Sequence, residues 1–291
     1  MISINTNNGG LFAAKAASQS QATIDSAMQR LSTGSRINNA KDDAAGQAIA
    51  TRLTAEIQGL EIASRNVADG QSLVDTAEGA LQETHTLLLR MREIGVQAAN
   101  GTLSTSDNQA LDAEFQQLVK EIDRIAQNTT WAGAALLNGD GGTVDTSETF
   151  SFQAGVGNNS GADVFDVTVK NADATTLDIY VEQTVSGVTS NSVGLLSQSS
   201  AQTAIGLVDT AIATVSSERA NLGAVSNRMA STMANLDQIR VNLTASKGRI
   251  ADADFAAETA NLAKGQILQQ AATAMLAQAN ASKQQVLTLI R

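Results

Sequence analysis

The 291-residue sequence predicts a mainly α-helical protein: a long antiparallel coiled helical rod with a small β-hairpin region, plus a helical domain built from both termini. Three observations predict it. Two long heptad seams lie on either side of a middle rich in Gly, Asp and Thr. Proline is absent, so no position imposes the ~3 kcal/mol that an interior proline costs a helix. Aromatics are 3% of residues, with one Trp and one Tyr, which suits thin helical layers with close backbones rather than a thick globular interior.

The amino-terminal stretch, residues 11–31, is rich in Ala and Gln, and Ile24, Met28 and Leu31 recur at helical spacings of four and three. Its apolar face is too small to anchor it to a domain core, so this helix needs a partner. Ser32, Thr33, Gly34 and Ser35 break it, and Asp42 and Asp43 place capping oxygens and negative charge before the next helix. There Leu53, Leu60, Val67, Val74, Leu81 and Leu88 follow one another every seven residues. Ala63, Gly70, Ala77, Thr84 and Met91 stand three positions after the later members. Large knobs alternating with small ones at that period predict a left-handed supercoiled helix. If helical throughout residues 43–100, it spans about 85 Å.

Gly101 and Thr102 end this helix. Ser106, Asp107, Asn108 and Gln109 read as a capping box opening another, with Leu111, Phe115, Leu118, Ile122 and Ile125 on one face. Residues 130–181 then carry three alternating runs that read as strands: Thr149 to Phe152, Val164 to Val169, and Leu177 to Val181. Residues 182–200 read as a Ser/Thr-rich loop. The second seam, Val208, Val215, Leu222, Met229, Leu236, Leu243 and Ile250, is the natural antiparallel partner of the first. Asp252, Ala253 and Asp254 interrupt it, and a final Ala- and Gln-rich helix carries Leu268, Ala272, Met275 and Ala279.

The predicted organisation is therefore a terminal helical domain of residues 1–40 and 251–291. The second domain has residues 41–181 and 201–250 as its arms, joined by the loop 182–200. Both termini come together at one end of the rod. Their stripes, Ile24, Met28 and Leu31 on one helix and Leu268 and Met275 on the other, exceed what one chain can cover. Uncovered apolar stripes at the end of a rod point to polymerisation.

Composition excludes several classes of function. There is no cysteine, hence no disulfide framework, thiol nucleophile or thiolate metal site. A net charge of −10 disfavours nucleic acid and anionic membranes as partners. No apolar run is long enough for a signal peptide core or a membrane span. The single histidine, His85, sits inside the first seam helix as an ordinary helix residue, and one histidine cannot make a paired zinc motif. Gly155, Gly157 and Gly161 resemble a phosphate loop only superficially, because strand signals and not a helix follow them. Asp252 and Asp254 lack the further ligands of a calcium loop and mark a helix junction. The expectation is a non-enzyme with no catalytic, cofactor or metal residues.

Residues 31–50, reading LSTGSRINNAKDDAAGQAIA, resemble the amino-terminal signature of bacterial flagellins. Residues 246–255 (SKGRIADADF), 263–280 (AKGQILQQAATAMLAQAN) and 221–228 (NLGAVSNR) resemble the family's carboxy-terminal signature. The resemblance implies an inner domain formed by both termini and an outer helical domain with a β-hairpin, the loop 182–200 standing in place of the family's variable domains. It implies a structural subunit that self-assembles with other flagellin subunits into the extracellular flagellar filament for swimming motility. It further implies export through the hollow flagellum by the type III apparatus without a cleaved signal. Other implied partners are an export chaperone on residues 252–291 and the hook-associated and cap proteins. Leu89, Arg90 and Glu93 lie in a segment similar to the one read by the host flagellin-sensing Toll-like receptor. The alternative is the hook–filament junction protein, which shares such ends. Its signature carries a proline before the paired aspartates, where this chain has Ala40 and Lys41 before Asp42 and Asp43.

Overall fold

The computed structural model describes residues 6–138, 147–157, 159, 161, 163–179, 182–185, 188–191 and 193–289. Its helices are α1 (Asn8–Thr33), α2 (Ala44–Ala98), α3 (Thr105–Asn128), α4 (Gln198–Ala251) and α5 (Phe255–Leu289). Its strands are β1 (Thr130–Trp131), β2 (Ala134–Ala135), β3 (Glu148–Gln153), β4 (Val164–Val169), β5 (Glu182–Val185) and β6 (Val188–Asn191), forming three separate antiparallel pairs in chain order. The chain divides into a terminal unit, residues 1–58 and 240–291, and a central unit, residues 59–239. The terminal unit thus takes in the start of α2 and the end of α4, beyond the predicted boundaries at residues 40 and 251.

In the central unit α2 and α4 run antiparallel, since rising numbers on one meet falling numbers on the other. A Cβ on Gly70 would stand 2.9 Å from Met229 Cε, and one on Gly95 would stand 3.0 Å from Ile205 Cγ1. Between these points Glu78 pairs with Arg219 at 3.6 Å and Arg92 with Asp209 at 2.6 Å. Leu60, Val67, Val74, Leu81 and Leu88 on α2 are buried, as are Val208, Val215, Leu222, Met229 and Leu236 on α4. The buried face of α2 is wider than a two-helix seam: Leu73 and Ile94, outside the seven-residue pattern, are fully buried as well. The β3–β4 hairpin supplies part of that extra cover. Its Phe152 reaches Gly70, its Val156 reaches Gly59, and Asn66 Nδ2 donates to the Gln153 carbonyl at 3.0 Å. A glycine at each crossing lets the hairpin lie close on the helix.

The β3–β4 register sets Phe150 opposite Val167 and Phe152 opposite Phe165. Phe165, Val167 and Val169 are buried while Thr168 and Asp166 face outward, so the period of two sorts the hairpin into a core face and a wet face. The Arg228 guanidinium lies 4.0 Å above the Phe165 ring and ties β4 to α4. Helix side chains then hold the irregular backbone that follows. Glu218 accepts from Lys170 N at 3.2 Å, Asp123 from Ala174 N and Asp112 from Leu195 N, both at 2.8 Å.

Three expectations change. The capping box of α3 is built by Ser104 and Asp107, not by the run starting at Ser106: Asp107 N donates to Ser104 Oγ at 3.3 Å and Ser104 N to Asp107 Oδ2 at 3.0 Å. Leu177 to Ile179 form a turn and not a strand, with Ile179 N bonded to Ala174 O at 3.1 Å and Asp178 at φ 54°. Thr176 Oγ1 donates locally to Asp173 Oδ1, and Ala174 N donates to Asp123 Oδ1 of α3, and both bonds favour that turn over an extended run. The remainder of that predicted strand, Tyr180 and Val181, lies outside the described residues. The segment 182–200 is not all loop: β5 and β6 pair with Val185 opposite Val188, and α4 already begins at Gln198. The β1–β2 hairpin is an addition, its two-residue turn placing Ala132 at φ 49° and Gly133 at φ 89°.

Candidate assembly surface

The terminal unit pairs α1 with α5 through small residues. Gly10, Ala13, Ser20, Ile24 and Ala27 are the buried positions of α1, and Gly265 and Ala272 are buried on α5. A Cβ on Gly265 would meet Ile24 Cγ1 at 2.8 Å, and one on Gly9 would meet Ala279 Cβ at 3.7 Å. Only glycine permits the first of these approaches without displacement. Polar rungs fix an antiparallel register: Asn7 Nδ2 donates to Asn280 Oδ1 at 3.1 Å, Gln269 Nε2 to Gln21 Oε1 at 2.6 Å, and Arg30 Nη1 to Glu258 Oε1 at 2.8 Å. Glu258 is buried, and the guanidinium beside it holds its carboxyl below the usual glutamate range.

Pairing leaves much apolar surface open. Phe12 is 74% exposed, Met275 65%, Met28 56% and Leu268 48%, with Leu11, Phe255 and Ile267 also exposed. Phe12, Ala16, Leu268 and Met275 line a groove of about 760 Å³ between the two helices, with Lys264 and Gln19 among its polar groups. Of the five residues expected at a polymerisation face, Met28, Leu268 and Met275 are exposed and Leu31 is half-buried. Ile24 departs from the expectation: at 7% exposure it is turned into its own chain's α5 by the gap at Gly265. Phe12, the most exposed large apolar side chain of α1, was missed because it lies out of phase with Ile24, Met28 and Leu31. The terminal members of the two seams differ also. Leu53 is buried, whereas Leu243 and Ile250 are only half-buried.

The third expected group stands on the outside of the central unit. Leu89 is exposed, and Arg90 is held by two carboxylates. Its Nη2 and Nε donate to Glu114 Oε1 of α3 at 2.8 and 3.1 Å, and its Nη1 donates to Glu93 Oε2 at 2.9 Å. The Glu114 carboxylate, with Glu93 second, raises the guanidinium's pKa further. The fork is thereby fixed in direction, with N–H groups to spare among its five. His85 is half-buried within α2. Among the described residues no group of three or more His, Cys, Asp or Glu could hold a metal ion, and no helix is long and apolar enough to cross a membrane.

Comparison with known families matches residues 4–141 to the bacterial flagellin N-terminal helical region and residues 205–290 to the bacterial flagellin C-terminal helical region. The chain belongs to the bacterial flagellin family. It is 44% identical over 265 residues to a flagellin of Halalkalibacterium halodurans, covering 91% of each chain. It is 40% identical over 310 residues to a flagellin of Bacillus subtilis, covering 99% of each. A solved structure of a protein described as flagellar hook-associated, from Vibrio parahaemolyticus, superposes with a TM-score of 0.57 at 14% identity, over 72% of this chain and 100% of that one. That likeness speaks for the fold alone and does not favour the hook–filament junction alternative. At 291 residues this flagellin lacks a large variable domain.

Proposed function

We propose that this flagellin, a structural subunit of the extracellular flagellar filament, polymerises through the open faces of its α1–α5 pair. The observation that carries the reading is the groove with Phe12 and Met275 exposed at its rim, on a helix pair whose own interface is made of small residues. Burying an exposed Phe or Met contributes about 1.5–3 kcal/mol per side chain, so a few such residues repeated along a filament suffice to hold it together. Phe12→Asp and Met275→Asp are expected to abolish polymerisation, read by sedimentation, while leaving the monomer's thermal unfolding unchanged. Both side chains face solvent in the single chain, so a polymer formed by the double variant would contradict the proposal.

The same reading assigns residues 252–291 to an export chaperone before assembly, with passage through the flagellar type III channel and no cleaved signal. Hook-associated and cap proteins are the partners at the filament's ends.

A second reading concerns the host. Leu89, Arg90 and Glu93 form a contact for the flagellin-sensing Toll-like receptor, supported by the exposure of Leu89 and by the pre-oriented Arg90 fork. Arginine held in one direction loses little freedom on binding and is enriched among interface hot spots. Arg90→Asp is expected to reduce receptor activation by monodisperse protein at least tenfold in a reporter-cell assay, with the helical content preserved. An equally potent variant would remove this contact.

A further inference from the structure

The two connectors of the terminal unit meet, although 214 positions separate Arg36 from its partner Ile250. Residues 34–43 join α1 to α2, and residues 252–254 join α4 to α5. Arg36 N donates to Ala251 O at 2.7 Å and Ala253 N donates to Gly34 O at 2.9 Å, making a short antiparallel bridge in which Ser35 faces Asp252. Gly34 allows the turn into this bridge by adopting φ 70° as the C-cap of α1.

The Arg36 guanidinium closes the junction. Its Nη2 and Nε donate to the Ile250 carbonyl at 2.6 and 3.2 Å. That oxygen is among the last four of α4, at the negative end of the helix dipole, where a cation is favoured. The same Nη2 lies 4.0 Å from Asp43 Oδ2, and Asp43 caps α2 by accepting from Gly46 N at 2.8 Å. Across the bridge, Asp254 Oδ1 caps α5 by accepting from Ala256 N at 2.9 Å. Four helix ends converge here, and one forked cation bonds the last turn of α4 and faces the cap of α2, while its own backbone lies two residues beyond the C-cap of α1. The Arg30–Glu258 pair joins α1 to α5 but reaches neither of the other two helices.

We infer that Arg36 is a positioning residue for filament assembly: by locking the two connectors together it presents the α1–α5 pair in one direction from the ends of α2 and α4. The inference rests on the reading that this pair is the polymerising surface. Without the lock, each incoming subunit must order its connectors as it adds, so the loss falls on assembly and not on the folded monomer. A lysine keeps the positive charge at the dipole but cannot fork onto one carbonyl while facing Asp43.

The test uses full-length protein: wild type, Arg36→Ala, Arg36→Lys and the control Arg249→Ala, whose guanidinium donates to Ser246 of its own helix at 3.0 Å. Critical concentration for polymerisation is measured by sedimentation, and monomer stability by thermal unfolding. Arg36→Ala is expected to raise the critical concentration on the order of tenfold with an unchanged unfolding midpoint, since tenfold corresponds to one well-formed charged contact. Arg36→Lys is expected to fall between, and Arg249→Ala to match wild type. An Arg36→Ala protein assembling at the wild-type concentration overturns the inference, as does one whose assembly and unfolding midpoint decline together. A wild type that never polymerises overturns the assembly reading, and this inference with it.

Discussion

Leu81 and Leu222 are fully buried in the central unit, whereas Glu83, two positions along α2 from Leu81, faces solvent. Placing a carboxylate at either leucine desolvates a charge that has no partner, which costs several kcal/mol and so rivals the stability of a whole domain. Leu81→Asp and Leu222→Asp are therefore expected to lower the thermal midpoint of the full-length protein steeply, and Glu83→Ala to leave it within about a degree or two. Comparable shifts for all three would mean that the buried face of α2 has been misassigned. At this scale the sequence was informative where a residue repeats every seven positions, because a regular helix converts period into face. It was silent where the partner is remote. Nothing around Arg36 in sequence foretells Ile250, and nothing around Glu218 foretells Lys170. Phe12 was overlooked for a different reason: it is 74% exposed and out of phase with Ile24, Met28 and Leu31, so their periodicity does not report it.

Among the elements, the long helices were legible and the short strands only partly so. A Pro-free run with a steady period permits few alternatives to helix. The hairpin of β5 and β6, with Thr184 in register with Thr189 and Val185 with Val188, had a weaker signal, which serine and threonine content disguised as loop. The turn at Leu177 was misread because alternation of apolar residues looks the same whether the backbone extends or bends around Asp173. The α1–α5 pair adds a consequence for pH. Glu258 has its carboxyl pKa lowered by the Arg30 hydrogen bond. A carboxylate with a lowered folded-state pKa contributes stability that is present above the ordinary glutamate value, about 4.3, and is lost as pH falls through the lowered value. Helix content of the terminal unit is therefore expected to decline in that acid window in the wild type. Glu258→Gln should already be weaker at neutral pH and flatter through the same window, in a pH titration of unfolding midpoints. Parallel curves for the two proteins would show that the pair contributes nothing.

For the whole molecule, the family and its filament role were legible through the signature runs at both ends, residues 31–50 on one side and 246–280 on the other, although residues 7–30, which pair with the carboxy-terminal helix, lie outside the first of them. The division into units was less so: the boundary lies within α2 and α4 and not at the helix breaks, since contact density and not helix continuity decides where a compact body ends. On the proposed reading, assembly resides in the α1–α5 pair, which a single chain leaves half open. Its most direct test is electron microscopy, under polymerising conditions, of the full-length protein beside a version reduced to residues 41–251. Filaments with a central channel are expected from the full-length protein, and only soluble, helical monomer from the shortened one. Long filaments from the shortened protein would contradict it.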